Sequence, residues 1–261
     1  MDRLAVLAAF DEQIRRRPEP EPPEGYLERD SNVIRSISGP GGWTGVNWSD
    51  LDDASADAVI AAQISRFAEL SRPWEWKHYS YDQPPDLPDR LLAAGFTARP
   101  TEALLVAEIA DLELEAPPPS GVERSPVVDE HGVRALVSVH DEVFGGDHSA
   151  MGRSLLAGLA SRPPLAAAVV AVAGQTPISA GRMEFHRGTE FASLWGGGTL
   201  PAWRGRGVFR SLVAHRAGLA SANGFRYLQV DATPDSRPIL RRLGFVELAT
   251  TTAYVHPGGG N

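Results

Sequence analysis

Apolar positions in the first half of the chain predict a mixture of strands and helices. Runs that alternate apolar and polar residues predict strands, and apolar residues spaced three to four positions apart predict helices. The predicted elements are an N-terminal helix before residue 18, strands at 32–38, 43–48, 74–80 and 102–109, and helices at 55–70 and 87–94. Proline-rich segments at 18–24 and 116–121 interrupt the pattern. Since neighbouring prolines exclude helix and central strand, the second segment is the predicted domain boundary.

The second half predicts a longer series that contains a meander, formed by the strands at 166–173, 178–186 and 190–195. Its predicted elements are strands at 122–127, 166–173, 178–186, 190–195, 226–231 and 246–255, and helices at 130–143, 151–159, 208–222 and 236–243. Both halves contain a long helix followed by strand, short helix, Gly-Phe and strand, with Gly95-Phe96 and Gly244-Phe245 at matching places. This order predicts an internal duplication.

Composition narrows the classes of function. Through Glu115 there are 22 acidic and 11 basic residues, and from Ala116 onward 11 acidic and 14 basic, so the net charge of −8 belongs to the first half and argues against nucleic-acid binding. The lack of cysteine excludes thiol nucleophiles, disulfides and thiolate metal sites, and no metal-binding motif occurs. Apolar runs at 4–10 and 165–173 are too short to span a membrane, so we expect a soluble, cytoplasmic protein.

A glycine-rich passage carries the most informative chemistry. Three consecutive glycines at 196–198 are unfavourable in an ordinary central strand but suit a bulged strand that a ligand backbone approaches closely. The segment 204–207 (RGRG) then opens the helix predicted from Val208, so free backbone N–H groups and the positive end of the helix dipole converge there. Together with nearby arginines this suits a pyrophosphate. The alternative is a basic surface turn before an ordinary helix, and neither a P-loop nor a Rossmann fingerprint is present.

This passage resembles the GNAT superfamily of N-acetyltransferases. The family's acetyl-CoA motif is Arg or Gln, two residues, Gly, one residue, then Gly or Ala, commonly after Pro-x-aromatic; residues 201–209 (PAWRGRGVF) match it except at Phe209, which replaces the small residue. The element order from Val122 to Val255 also matches. The resemblance implies an α+β fold with a mixed, mostly antiparallel sheet flanked by helices, duplicated as a degenerate domain over 1–115 and an acetyl-CoA-binding domain over 122–256.

The resemblance also implies a co-substrate, acetyl-CoA, and residues that hold it. Gly197, Gly198 and Thr199 would bind the pantetheine arm through their backbone, and the loop amides would bind the pyrophosphate. The loop residues are Arg204, Gly205, Arg206, Gly207, Val208, Phe209 and Arg210. Ser236 lies where the family often places a polar group near the cofactor sulfur, although an N-cap for the following helix explains the residue equally simply.

The expected proton-transfer groups are missing. The place of the family's acidic tyrosine is Leu240, and the place of its fourth-strand glutamate is Ser193. We take Glu184 and Tyr254 as the candidate catalytic residues, each with a simpler interpretation: Glu184 can lie on either sheet face, and Tyr254 can be a half-buried strand residue. Further candidates are His186, Glu190, Asp147 and His148, and a route through water is an alternative.

The reaction implied is direct acetyl transfer to the amine of a small molecule by a monomer or homodimer. In the first half, the segment 49–54 that would correspond to the phosphate loop has three carboxylates and no glycine, so we expect that half not to bind acetyl-CoA. The acidic half hints at a cationic acceptor, but a solvated acidic surface explains it as well. Without the tyrosine and glutamate, the alternative is a non-catalytic acyl-CoA-binding regulatory protein.

Overall fold

A computed structural model describes residues 1–30 and 32–258 and divides the chain into two compact units. The N-terminal unit comprises Asp2–Leu104, Ala232–Arg237 and the chain from Glu247 onward. The C-terminal unit comprises Leu105–Asp231 and Pro238–Val246. Within the described residues, no helix is both long and apolar enough to cross a membrane.

The N-terminal unit is a sheet covered by helices. Its helices are α1 (Arg3–Phe10, continued by a wider turn over Asp11–Arg15), α2 (Ala56–Ala68) and α3 (Leu87–Ala93). Its strands are β1 (Tyr26–Asp30), β2 (Val33–Ile37), β3 (Gly45–Ser49), β4 (Trp74–Tyr79) and β5 (Thr97–Ala98). The pairing is antiparallel from β1 to β3 and parallel between β3 and β4. The core joins Ile60 and Phe67 of α2 to Trp74 and Trp76 of β4.

The last strand of the chain also belongs to the N-terminal unit. Strand β12 (Val246–His256) pairs antiparallel with β4 over six residue pairs, and Tyr254 and Val255 also pair with β5. The break between the units falls at Leu104/Leu105, inside strand β6 (Glu102–Glu108), and not in the proline-rich segment 116–121. The units are defined by contacts between residues, and these are dense along paired strands. Because β12 pairs with β4, the end of the chain belongs to the N-terminal unit. Whether 1–115 and 122–256 are duplicated domains stays a prediction.

The C-terminal unit has a six-stranded sheet in the order β6-β11-β10-β9-β8-β7. The strands are β7 (Glu123–Pro126), β8 (Ala166–Ala173), β9 (Thr176–Phe185), β10 (Phe191–Thr199) and β11 (Tyr227–Ala232). The pairing is antiparallel from β7 to β10 and parallel between β10 and β11. The predicted antiparallel meander is thus confirmed.

Helices cover both faces of this sheet. They are α4 (Glu130–Phe144), α5 (Ser149–Ala160), α6 (Val208–Ala222) and α7 (Arg237–Arg242), the last starting at the boundary of the two units. Leu136 of α4 and Leu155 of α5 pack on Ala168, whereas Val208 and Leu212 of α6 pack on residues of the opposite face. Alternation along β8 and β9 therefore gives the two faces different partners.

The structure differs from the predicted elements at two main places. Strand β1 was not predicted, because its sequence (YLERD) is mostly polar and only one side pairs, with β2. Strand β10 continues through the three glycines to Thr199, four residues beyond the predicted end. The glycines thus lie inside the strand, where a bulge accommodates them.

Candidate active site

Strands β10 and β11 pair in parallel over three residues only. Phe191, Ala192 and Ser193 pair with Tyr227, Leu228 and Gln229, and no further pair follows although both strands continue. On its other edge β10 has an irregular register against β9 between Trp195 and Gly198. The second half of β10 therefore does not pair with β11, and its backbone on that side is open to another hydrogen-bonding chain.

The three glycines of β10 are packed tightly from both faces of the sheet. A Cβ on Gly196 would lie 2.5 Å from the His140 ring, and one on Gly198 would lie 3.0 Å from Val143, both on α4. From the other face, a Cβ on Gly197 would lie 2.8 Å from the Phe209 ring. Gly196 also has a φ of +55°. Phe209, which replaces the small residue of the motif, therefore packs against Gly197.

Residues 204–207, which we call the basic loop, lead from β10 into α6 with open space around them. Gly205 and Gly207 have φ values of +73° and +84°, and no atom lies within 4 Å of an added Cβ at either position. Gly207 precedes the first helical residue, and no described side chain caps the helix. The N–H groups of the first turn, at Val208, Phe209 and Arg210, have no acceptor within an α-helix. The loop can bind an anion through these groups.

The arginines around the basic loop have different partners. Arg204 donates from Nε to the Thr199 carbonyl at 3.0 Å, which fixes the entry to the loop. The Arg206 guanidinium stacks over the Trp203 ring at 5.0 Å. Arg210 forms an exposed ion pair with Glu113, which offsets its charge. Arg206 therefore has the guanidinium most available to an anionic ligand among the three.

His140 holds the bulged strand from α4. Its Nε2 lies 2.7 Å from the Gly196 carbonyl oxygen, and because a carbonyl only accepts, Nε2 carries the proton. The ring is 2% exposed, and burial lowers the pKa of the imidazole to about 4. His140 is therefore a neutral donor that fixes the bulge at neutral pH.

Solved structures match this arrangement over nearly the whole chain. A GCN5-related N-acetyltransferase from Kribbella flavida superposes with a TM-score of 0.72 at 18% identity, covering 99% of this chain and 96% of that one. The fold is that of the GNAT superfamily. A tandem GNAT protein from the clavulanic acid biosynthesis pathway gives a TM-score of 0.63 at 12% identity over 99% and 95% of the two chains. The predicted fold class is confirmed.

A third GNAT structure and the sequence comparisons complete this picture. A GCN5-related N-acetyltransferase from Sphaerobacter thermophilus gives a TM-score of 0.58 at 12% identity, over 89% of this chain and 83% of that one. No protein-family model matches the chain, and no curated protein is significantly similar to it in sequence. The similarity to these GNAT structures is thus a similarity of fold.

In the segment Gly197–Thr199, which is predicted to bind the pantetheine arm, two backbone carbonyls already accept hydrogen bonds from side chains. Ser179 donates to the Gly198 carbonyl at 2.6 Å, and the Thr199 hydroxyl lies 2.8 Å from the Ser179 hydroxyl. The Thr199 carbonyl accepts from Arg204. The carbonyls of Gly198 and Thr199 therefore already have donors, and the predicted contacts to an added chain fall on the remaining backbone groups of the segment.

A hydrogen-bonded chain of polar side chains leads from the residue after β9 across β10 to β11. His186 Nε2 lies 2.6 Å from the buried Ser193 hydroxyl, which donates to Gln229 Oε1 at 2.6 Å. Gln229 Nε2 donates to Asp231 at 3.1 Å. Since the Ser193 proton is used towards Gln229, Ser193 accepts from His186. Burial lowers the pKa of His186 and Glu184 opposes this shift.

The candidate catalytic residues lie in different units. Glu184 on β9 accepts an ion-pair contact from Arg182, two residues away on the same strand face. Tyr254 on β12 belongs to the N-terminal unit, where it pairs with Trp76 and contacts the His78 ring edge to face at 5.9 Å. Burial raises the pKa of the Tyr254 phenol. Their catalytic roles stay predictions.

Two further predicted site residues have local partners. Ser236 donates to the Thr233 carbonyl at 3.3 Å, so its hydroxyl closes the turn before α7. His148 contacts Asp141 of α4 at 2.9 Å, and not the neighbouring Asp147, which accepts from the Ser149 amide at 2.8 Å. Neither observation tests the predicted contact of Ser236 with the cofactor.

Sequence reasoning missed two buried polar residues next to the glycines. His140 follows Leu136 by four positions on the buried face of α4, and Arg216 follows Leu212 in the same way on α6. Arg216 donates to the carbonyls of Leu212 and Arg182, and burial lowers the pKa of its guanidinium to about 10. A polar residue at an apolar helical position was the available signal.

Proposed function

We propose that this protein is an N-acetyltransferase that transfers the acetyl group of acetyl-CoA to the amine of a small molecule. The observation that carries the proposal is the basic loop, which leaves the N-terminus of α6 uncapped beside a strand that has parted from β11. An uncapped helix N-terminus binds phosphate groups, and a released strand edge offers hydrogen bonds to an extended chain. This combination fits both ends of coenzyme A.

The residues present fit the pyrophosphate. Gly205 and Gly207 allow the chain to approach a ligand because their side has open space, and Arg206 adds a positive charge. The amides from Arg204 to Arg210 would hold the phosphate oxygens. Gly197, Gly198 and Thr199 would bind the pantetheine arm through the backbone groups that Ser179 and Arg204 leave open.

The chemistry is direct transfer. Acetyl-CoA supplies the activated acyl group as a thioester, and a neutral amine attacks its carbonyl carbon. The chain must therefore remove one proton from the amine and hold both reactants close, which lowers the entropic part of the barrier. An acyl-enzyme on cysteine is excluded, because the chain contains none. Glu184 and Tyr254 are the proposed acid and base groups from sequence.

The N-terminal unit is proposed to be unable to bind acetyl-CoA. The segment that precedes α2 carries Asp50, Asp52 and Asp53 and no glycine. Asp52 accepts hydrogen bonds from the Ser55 amide at 2.8 Å and the Ser55 hydroxyl at 2.6 Å, so local groups occupy the position where a phosphate would bind. We expect one acetyl-CoA per chain.

A regulator that binds acyl-CoA without turnover is the second candidate. It is favoured by one observation: Leu240 and Ser193 stand where many GNAT enzymes have a tyrosine and a glutamate, and both are buried. Such a protein would bind coenzyme A and acetylate no amine.

Thiol release separates the two functions. The purified chain is incubated with acetyl-CoA and a polyamine, an aminoglycoside, an amino sugar or an amino-acid amide, and free thiol is measured with a disulfide reagent. Since the protein has no cysteine, every thiol detected comes from coenzyme A. Amine-dependent release supports the transferase. Calorimetric binding of coenzyme A without release on any amine supports the regulator, and absence of binding contradicts both.

A further inference from the structure

A histidine–aspartate pair lies at the connection between α4 and α5. His148 Nδ1 is 2.9 Å from Asp141 Oδ1, and the same carboxylate oxygen accepts from the His148 backbone N–H at 2.9 Å. Two hydrogen bonds to one carboxylate fix both the backbone and the ring of His148. The ring is held although Gly145 and Gly146 precede it with positive φ values.

The pair selects one tautomer of His148. A carboxylate accepts only, so Nδ1 carries the proton and Nε2 presents its lone pair. The side chain of His148 is 28% exposed, and within residues 1–30 and 32–258 no hydrogen bond to Nε2 is formed. This is the arrangement of a general base: an oriented imidazole with an available nitrogen.

The pair is close to the bulge of β10. The His148 ring centroid lies 5.7 Å from that of His140, whose Nε2 is bonded to the Gly196 carbonyl. Phe144, which contacts the position of Gly198, lies 6.1 Å from the His148 ring. His148 is therefore separated from the glycine segment by a single layer of side chains of α4.

Three other residues that could act as a base have their reactive atoms engaged. Glu184 is paired with Arg182, and His186 uses Nε2 towards Ser193. His140 is buried and its Nε2 proton is committed to Gly196. His148 alone among these four combines an orienting carboxylate with an unoccupied ring nitrogen within the described residues.

We propose that His148 is the general base of the transfer reaction and that Asp141 is its positioning residue, an inference that rests on the proposed function. The amine nitrogen forms its bond to the thioester carbonyl carbon and gives its surplus proton to Nε2 of His148. The C–S bond breaks with its electron pair on sulfur, and the imidazolium returns the proton to the thiolate. Amine and thioester thus become amide and thiol without an external reactant.

The test compares four full-length variants with the wild type in the thiol-release assay, using the amine acetylated fastest. His148→Gln is expected to lower kcat by about 100-fold or more, the range of a lost general base. His131→Gln is the matched control, because His131 is exposed on the first turn of α4, the helix that carries Asp141, and it should retain the wild-type rate. Glu184→Gln tests the rival residue.

Asp141→Asn tests whether Asp141 orients the ring of His148, by a measurement that a purely structural role of Asp141 would not change. An asparagine can turn its amide N–H towards Nδ1, so the tautomer of His148 is no longer selected and kcat should fall while the affinity for coenzyme A is unchanged. The charged or titratable groups around the ring are His140 and Asp141 of α4, Asp147 in the connection and, through Asp147 and His140, Arg153 and Arg182. All but Asp141 are unchanged in this variant.

Binding of coenzyme A by calorimetry separates the two hypotheses. If all variants bind coenzyme A like the wild type, and His148→Gln and, less strongly, Asp141→Asn lose turnover while the other two keep it, the base and its positioning residue are supported. If His148→Gln keeps its rate within threefold while Glu184→Gln loses it, the base is wrong and the transferase stands. If the wild type binds coenzyme A but acetylates no amine, both the transferase and its base are wrong.

Discussion

Two segments of the chain join a strand to a helix in the same local arrangement, and they differ in chemistry. In the N-terminal unit β3, α2 and β4 form a parallel strand pair around a helix, with two residue pairs between the strands. In the C-terminal unit β10, α6 and β11 do the same with three pairs. The acidic loop, residues 50–55, connects β3 to α2, and the basic loop, residues 204–207, is the last part of the connection from β10 to α6.

The two loops satisfy their backbone differently. In the acidic loop Asp52 binds Ser55, and Arg90 lies 3.4 Å from Asp53 and 3.1 Å from Asp57 at the start of α2. In the basic loop no described side chain caps α6, and the glycines stand in open space. The acidic loop is thus closed by hydrogen bonds between Asp52 and Ser55, whereas the basic loop stays open. We therefore expect the loop, and not the fold, to decide which unit binds a phosphate.

The largest effect is expected from Gly207→Glu. A carboxylate at the N-terminus of α6 would repel the pyrophosphate, and a side chain at a φ of +84° would strain the loop. Coenzyme A affinity should fall more than about 100-fold, or about 3 kcal/mol, as measured by calorimetry. Gly224→Glu is the matched control, since Gly224 has a φ of +82° and equally open space beyond the other end of α6. Equal weakening in both variants would contradict the loop assignment.

The second prediction concerns the pH dependence of stability that His140 gives to β10, the strand before the basic loop. In the C-terminal unit His140 supports the bulge while neutral, with a pKa of about 4. The unfolded chain binds this proton near pH 6.5, so the contribution of His140 is complete above that pH and is lost as pH falls towards 4. The loss should reach about 3 kcal/mol. Urea unfolding at pH 7 and pH 4.5 measures it.

His140→Gln isolates this contribution from other titrating groups. Glutamine can donate to the Gly196 carbonyl but does not titrate, so the variant should lose less stability than the wild type between the two pH values. An equal loss in wild type and variant would show that other groups, such as His186, cause the pH dependence. The other titrating groups are the same in both proteins, so the difference between the two stability losses reports on His140 alone.

Elements with a strong periodicity of apolar residues could be predicted from the sequence, and contacts between distant segments could not. The helix from Val208 and the strand 166–173 have strong periodicity and were located at their observed ends. Strand β1 was missed because an edge strand has few apolar residues to reveal it. The bulge was predicted from its glycines, but His140 and Phe209, which fill the space, come from α4 and α6. A polar residue on an apolar helical face marks His140, but no local pattern shows which strand residues His140 and Phe209 contact.

A third prediction concerns the packing of Phe209 against the glycines of β10. Gly197→Ala would place its Cβ 2.8 Å from Phe209 and should destabilise the chain by about 1 to 3 kcal/mol, measured by urea unfolding. Phe209→Ala relieves this clash, so the double variant should be more stable than the sum of the two single effects predicts. Additive effects would show that Phe209 does not fill the space of the missing side chain.

The smallest effect is expected from Asp52→Ala in the acidic loop. The variant loses the acceptor for the Ser55 amide and hydroxyl, so the urea midpoint should fall slightly, by less than in Gly197→Ala. Coenzyme A stoichiometry should stay at one per chain, because removal of a carboxylate supplies neither a glycine nor an arginine to bind phosphate. A second bound equivalent in calorimetry would overturn the comparison, since it would show that the strand–helix arrangement suffices and that the carboxylates alone keep the N-terminal unit empty.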